Sequence, residues 1–261
     1  MINRHAHFDV ILTKFDHFHA QSFGQCSFHK LVNITDINIF VVDHFRNLTT
    51  KKTIYLIRHG QTDYNLQGII QGRGIDSDLN ETGRSQAEAF YQHYKHIEFD
   101  RVYTSQLKRT KQSVAGFTEM GIETVEHRGL DEINWGIYEG QKATNEHRVM
   151  FQSITQKWRE GDVHFAPDGG ESPFDLQKRQ REALEHLRQA DDEQTILICM
   201  HGRALRSFLC LMLDHPLHLM DDFPHTNLCL YRLAMKSDFQ INLLEKNSTL
   251  HLNDRIRSNF P

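Results

Sequence analysis

Apolar residues along this chain fall into short blocks from residue 53 onward. Ile54-Tyr55-Leu56-Ile57 is a continuous apolar run, the length and composition of a short buried strand. Residues 81–97 place Ala87, Phe90, Tyr91 and Tyr94 at helical spacing, with Thr82 as the expected cap. The pattern then predicts a strand at 101–104, a helix at 107–120 and a strand at 122–125. Helices are expected at 143–159 and 173–189, separated by the Pro/Gly-rich loop 166–170. A second fully apolar strand at 195–199 leads into a helix at 203–213, and strands at 228–233 and 239–244 close the pattern. The polar tail after Leu252 is expected to fray. Strands alternating with helices in this way indicate an α/β sheet.

The first 50 residues break the pattern. They hold six of the 18 histidines (His5, His7, His17, His19, His29 and His44) without a clear amphipathic period. Irregular spacing and the lack of a Cys pair argue against a metal-binding tract. Residues 37–42 are apolar enough for an extra strand. No Met lies between Met1 and Met120. A start at a non-AUG codon near Leu48 would put the N-terminus just ahead of the first strand, with residues 1–47 an upstream mistranslation. The expected division is therefore an extension at 1–50, disordered or a start-site artefact, a globular domain at 51–252, and a tail at 253–261.

Composition narrows the function. A formal net charge of −4 leaves no basic surplus for a nucleic-acid backbone, so any anion site must be a local concentration of Arg and His. Cys26, Cys199, Cys210 and Cys229 are scattered, with no CxxC pair, which favours a reduced, cytoplasmic protein. No apolar run is long enough to span a bilayer, and the N-terminus lacks the features of a signal peptide.

Two buried strands end in His-Gly, at His59-Gly60 and His201-Gly202. Parallel strands of an open sheet end on one edge, where such sheets bind ligands, so the two histidines can face each other across one crevice. Arg58 is a permanent cation suited to phosphate oxygens, and His59 is a candidate nucleophile or base.

The segment Arg58-His59-Gly60-Gln61-Thr62-Asp63-Tyr64-Asn65 resembles the signature of the histidine phosphatase superfamily, whose fold is phosphoglycerate-mutase-like. The likeness continues in order through Gln71-Gly72-Arg73-Gly74, Leu79-Asn80-Glu81-Thr82-Gly83, Thr104-Ser105-Gln106-Leu107-Lys108-Arg109-Thr110, Glu132-Ile133-Asn134-Trp135-Gly136, Gly169-Gly170-Glu171-Ser172 and Met200-His201-Gly202. One departure is Asp78, where the family usually has Pro, in a turn that tolerates either. The resemblance implies a three-layer sandwich with a central, mostly parallel sheet flanked by helices, and makes 51–252 the catalytic domain. It implies that His59 attacks phosphorus to form a phosphohistidine, for which its ring must be neutral with the second nitrogen held by an acceptor. Arg58, Arg109 and His201 would surround the phosphoryl group, with Thr62, Asn65 and Gly202 as further substrate-binding positions. Glu132 matches the acid/base carboxylate, Glu139 reads as structural, and Glu171 and Arg179 as support for the loop.

No metal and no cofactor are implied, and the partner would be a small-molecule phosphate ester rather than nucleic acid or membrane. Some relatives dimerise, which leaves a homodimer open. The short interval between the two histidines and the short tail favour hydrolysis over the alternative, a cofactor-dependent phosphoglycerate mutase. Substrates within the family include sugar phosphates, fructose-2,6-bisphosphate, α-ribazole phosphate and phosphoserine-like monoesters. Selection among them would fall to a lid at 142–173 carrying Phe151, Trp158, Arg159, His164 and Phe165. His147 and Arg148 could reach a second anionic group.

Overall fold

The computed structural model describes residues 50–142 and 144–257. The extension before residue 50, with its strand candidate at 37–42 and its start-site reading, lies outside the described residues.

A six-stranded sheet forms the middle layer, in the order β3-β2-β4-β1-β5-β6. The strands are β1 (Thr50–Arg58), β2 (Arg101–Thr104), β3 (Thr124–Glu126), β4 (Thr195–Met200), β5 (Leu230–Lys236) and β6 (Ile241–Ser248). β1, β4, β2 and β3 are mutually parallel, whereas β5 runs antiparallel to β1 and to β6. The period of two sorts side chains into two cores. Ile54, Leu56, Ile196, Ile198 and Met200 point to one face, and Tyr55, Ile57, Leu197 and Cys199 to the other.

Helices cover both faces. On the first lie α5 (Asn145–Arg159), α6 (Pro173–Gln189) and α7 (Gly202–Met212), contributing Trp158, Leu184 and Phe208. On the second lie α2 (Glu81–Tyr94), α3 (Lys108–Ser113) and α4 (Ala115–Glu119), with Phe90, Phe117 and, between α3 and α4, Val114 in the core. The short α1 (Asp63–Leu66) follows β1 at the crevice edge. This is the expected three-layer α/β sandwich. Among the described residues, no helix is long and apolar enough to cross a membrane.

Several boundaries differ from the pattern, each for a local reason. α2 is capped by Asn80, whose side chain accepts from Gly83 N at 2.9 Å, so Thr82 lies inside the helix. The helix expected at 107–120 is broken at Val114 (φ −117°, ψ 9°). There the Ser113 hydroxyl donates to Arg109 O and accepts from Gly60 N, a diversion that bends the chain. The tail turns back through residue 257 instead of fraying at 253. Leu252 is buried, and Gln86 Nε2 donates to Ile256 O at 2.7 Å.

Phe90 is fully buried between α2 and the sheet. Phe90→Ala is expected to lower the unfolding free energy by about 3–5 kcal/mol in urea titrations. A loss under about 1 kcal/mol would show that this face is not close-packed.

Candidate active site

The crevice begins where β1 and β4 end together. Arg58 is opposite Met200, and His59 N donates to Met200 O at 2.9 Å, so His59 and His201 leave the sheet side by side. Their ring centroids are 5.1 Å apart. Gly60 is required by a close backbone approach: a Cβ there would stand 2.7 Å from Gly83 O.

His59 is 3% exposed. Its Nδ1 lies 2.7 Å from Gly60 O, and since a carbonyl only accepts, Nδ1 carries the hydrogen and Nε2 keeps a lone pair. Burial, with Arg109 and Arg58 adding to it, holds its pKa well below the ordinary histidine value. The ring is therefore neutral.

His201 has the opposite tautomer. Arg109 Nε donates to its Nδ1 at 3.1 Å, so its hydrogen sits on Nε2 and goes to Ser105 Oγ at 2.8 Å. Burial and then Arg109 hold its pKa well below the usual value too. His201 is thus a neutral partner of Arg109 beside the phosphoryl position. The cations here are the two arginines. Arg109 also donates to Ile75 O at 2.6 Å and Gly72 O at 3.3 Å, and Arg58 donates to His225 Nδ1 at 3.1 Å. Burial lowers both guanidinium pKa values, that of Arg109 to about 10, which leaves it charged at neutral pH.

Thr62 caps α1, its Oγ1 accepting from Asn65 N at 3.2 Å and from Gln71 Nε2 at 2.7 Å. Asn65 Oδ1 accepts from Thr62 N and Asn227 Nδ2, which directs its amide NH2 away from those donors. Glu132 is 6% exposed and sits over the first turn of α7. Its Oε1 accepts from Ile133 N at 2.9 Å and Ala204 N at 2.8 Å, and its Oε2 from Arg203 N at 3.1 Å. Gly202 is the first residue of that helix; a Cβ there would lie 3.1 Å from the His225 ring and 3.5 Å from Arg58 Nε.

Nearly all of the described chain matches one family model. Residues 54–247 fit the histidine phosphatase superfamily (branch 1). The chain belongs to that superfamily. Phosphoserine phosphatase 1 of Hydrogenobacter thermophilus is 27% identical over 202 residues, 77% of this chain and 94% of the relative. The Bos taurus fructose-2,6-bisphosphatase TIGAR is 36% identical over 143 residues, 53% of this chain and 51% of the relative, so this match spans about half of the bovine protein. In fold, the chain resembles mycobacterial glucosyl-3-phosphoglycerate phosphatase with a TM-score of 0.64 and 23% identity, over 76% of this chain and 99% of that one. Family and phosphatase relatives together make this histidine phosphatase a phosphoric monoester hydrolase for small phosphorylated metabolites.

Support for Glu132 comes from Arg179 of α6. Its Nη1 donates to Arg128 O and Asp131 O, both at 2.9 Å, and its Nη2 to Glu132 O at 2.7 Å. Glu171 holds Arg179 at 3.1 Å and accepts from Asn134 N at 2.9 Å. Burial opposes ionisation of Glu171, but Arg179 outweighs it, and the pKa lies below the ordinary value. Glu139 accepts from Trp135 N and Gly74 N, each at 2.9 Å, and closes one loop upon another. Both carboxylates thus hold backbone in place, as the sequence led one to expect.

Ser105, His225 and Asn227 were not picked out from the sequence. Ser105 follows the parallel strand β2, so the rule that located His59 and His201 would have found it too. Asn227 Nδ2 donates to His59 O at 3.0 Å from the approach to antiparallel β5, where no local pattern marks it. The lid reading changes as well. Trp158 is 1% exposed and stacks on Trp135, with ring centroids 5.3 Å apart, so it belongs to the core. Phe151 packs on Trp135, Phe165 lies under Lys157, and His164 stacks on Phe174. His147 and Arg148 line a cavity of about 240 Å³ with Ile70, Tyr138 and Phe151.

The buried histidines make stability depend on pH. Native His59, His201 and His251, the last pushed by burial to about 4, stay neutral where the unfolded chain's rings take up protons. The unfolded state then binds more protons, so stability rises with pH. Between pH 6.5 and the native value, each such ring is expected to remove about 1.4 kcal/mol per pH unit on acidification. Urea titrations at pH 7 and pH 5 check this, and equal stabilities would contradict the burial of the rings.

Proposed function

We propose that this protein hydrolyses phosphomonoesters through a phosphohistidine on His59. The observation that carries the reading is the fixed tautomer: Nδ1–H is held by Gly60 O, which leaves the Nε2 lone pair beside Arg58 and Arg109. In the first step Nε2 attacks phosphorus, the P–Nε2 bond forms and the ester P–O bond breaks. Glu132 gives its proton to the leaving alcohol oxygen. In the second step Glu132 takes a proton from water, the water oxygen bonds to phosphorus, and the P–Nε2 bond breaks to release phosphate.

Arg58 and Arg109 hold the phosphoryl oxygens, whose charge grows during transfer. His201 orients Arg109 through its Nδ1 and is anchored on Ser105. The NH2 of Asn65, the hydroxyl of Thr62 and the N–H of Gly202, the first amide of α7, complete the oxyanion contacts. Substrates named for the relatives, phosphoserine and fructose 2,6-bisphosphate, mark the size of ester the site takes. The buried free thiols of Cys199, Cys210 and Cys229 agree with a reducing, cytoplasmic setting.

Hydrolysis of p-nitrophenyl phosphate tests the assignment. His59→Ala is expected to lower kcat by about a thousandfold or more, and Glu132→Gln by about a hundredfold or more. Rapid quenching of the wild type with 32P-labelled substrate should leave an acid-labile label on protein. Equal rates for wild type and H59A would remove the nucleophile. Isomerisation of 3-phosphoglycerate, primed with bisphosphoglycerate and faster than phosphate release, would make the protein a mutase.

A further inference from the structure

A second concentration of positive charge lies beyond the phosphoryl pocket, where the end of α5, the first turn of α7 and the 3-10 turn Leu217–Asp222 meet. Arg203 Nη1 and Arg206 Nη1 each reach Asp221 Oδ1 at 2.6 Å, and Arg159 Nε reaches Asp221 Oδ2 at 2.7 Å. Three guanidinium groups therefore share one carboxylate. Among the described residues none of the three is bonded to a second carboxylate, and neighbouring Asp222 is exposed and contacts His215.

That imbalance is costly. Arg203 is 7% exposed, so its charge is largely withdrawn from water while it shares its one carboxylate, Asp221, with two other cations. The pKa of Arg206 is lowered to about 10, first by burial and then by Arg203, so the cations are crowded against their mutual repulsion. Tethering α5 to the turn would need a single arginine. Arg159 is half exposed and solvated, whereas Arg203 and Arg206 are mostly buried, so the cluster keeps an excess of positive charge that an incoming anion can meet.

Arg203 connects this cluster to the chemistry. Its backbone N donates to Glu132 Oε2, and the residue before it, Gly202, abuts Arg58 and His225. In its guanidinium, Nη1 is engaged by Asp221, while Nε and Nη2 make no hydrogen bond among the described residues. Its Cζ is 5.5 Å from the Trp158 ring, which forms a flat wall beside it. Glu132 must reach the leaving oxygen, so the alcohol part of a bound ester lies against the turn that projects Arg203.

We propose that Arg203, braced by Asp221 and backed by Arg206 and Arg159, is an anion subsite for the alcohol part of the substrate. The substrate is then a phosphate ester with a second, separate anionic group, a carboxylate or another phosphate. This rests on the reading of His59 and Glu132 as the phosphoryl-transfer pair. The cavity beside Arg148 is the competing location for such a group.

Calorimetric titration with phosphonates that cannot turn over reads the subsite directly. 3-Phosphonopropionate and propylphosphonate share a phosphonate and differ by a carboxylate, and 4-phosphonobutyrate with butylphosphonate extends the reach. In the wild type the carboxylate is expected to tighten binding in one pair by about tenfold, the lower end for a charge-assisted hydrogen bond. In Arg203→Gln the preference should fall to about twofold or less, while Arg203→Lys recovers part of it and Arg148→Gln keeps it. A thermal melt confirms that each variant folds. No preference in the wild type, a preference surviving R203Q, or one lost in R148Q instead would each overturn the proposal. Phosphonate binding without p-nitrophenyl phosphate hydrolysis would sink the reaction, whereas hydrolysis without carboxylate preference would sink the subsite alone.

Discussion

Pairing of β1 with β4 is the constraint on which the site depends. The two strands run parallel, in a register that sets Ile57 against Cys199 and Arg58 against Met200. A slip of one residue would send Ile54 and Leu56 into the core now filled by Tyr55 and Ile57. Both faces of the sheet are covered, so both cores resist that exchange. The position of His59 relative to His201 is thus set by hydrophobic packing on either side of the sheet, before any polar contact in the crevice is considered.

Burial then decides which groups carry charge. Imidazole and guanidinium experience the same desolvation, but their ordinary pKa values lie far apart. Burial therefore leaves His59 and His201 neutral while Arg109, lowered to about 10, remains a cation. A neutral ring with a free lone pair between fixed cations suits a nucleophile that must approach a phosphate. His225 extends the arrangement: burial and Arg58 hold its pKa well below the usual value, so its Nδ1 accepts from Arg58.

The candidate acid is held differently. Glu132 lies on a segment with little regular structure, and Arg179 converts that segment into a rigid one by binding three of its carbonyls. Glu171 keeps the Arg179 fork in plane and pins Asn134. On the far side, the first amides of α7 receive the carboxylate itself, so helix and clamp grip Glu132 from opposite ends. The same first turn carries Arg203, which links the placement of the acid to the second cluster of cations.

Elements with a strong period were legible from the chain alone. β2 at Arg101–Thr104 and α6 at Pro173–Gln189 have the expected bounds, the latter because Ser172 and Asp175 form a capping box around Pro173. The two His-Gly strand ends and the motif around them pointed to one crevice for the same local reason. The break at Val114 could not be read, since it follows from Gly60 capturing the Ser113 hydroxyl from 53 residues away. Nor could the inward turn of Trp158, because an amphipathic helix does not say which neighbour its aromatic face will meet. Sequence alone therefore determined the order of strands and helices along the chain and the residue types at the crevice, which depend on neighbours a few positions apart, and the class of chemistry through the resemblance carried by its spaced motifs. Tautomers, charge states and the sharing of Asp221 by three arginines were decided only by the tertiary structure, because each depends on burial and on partners distant in the chain.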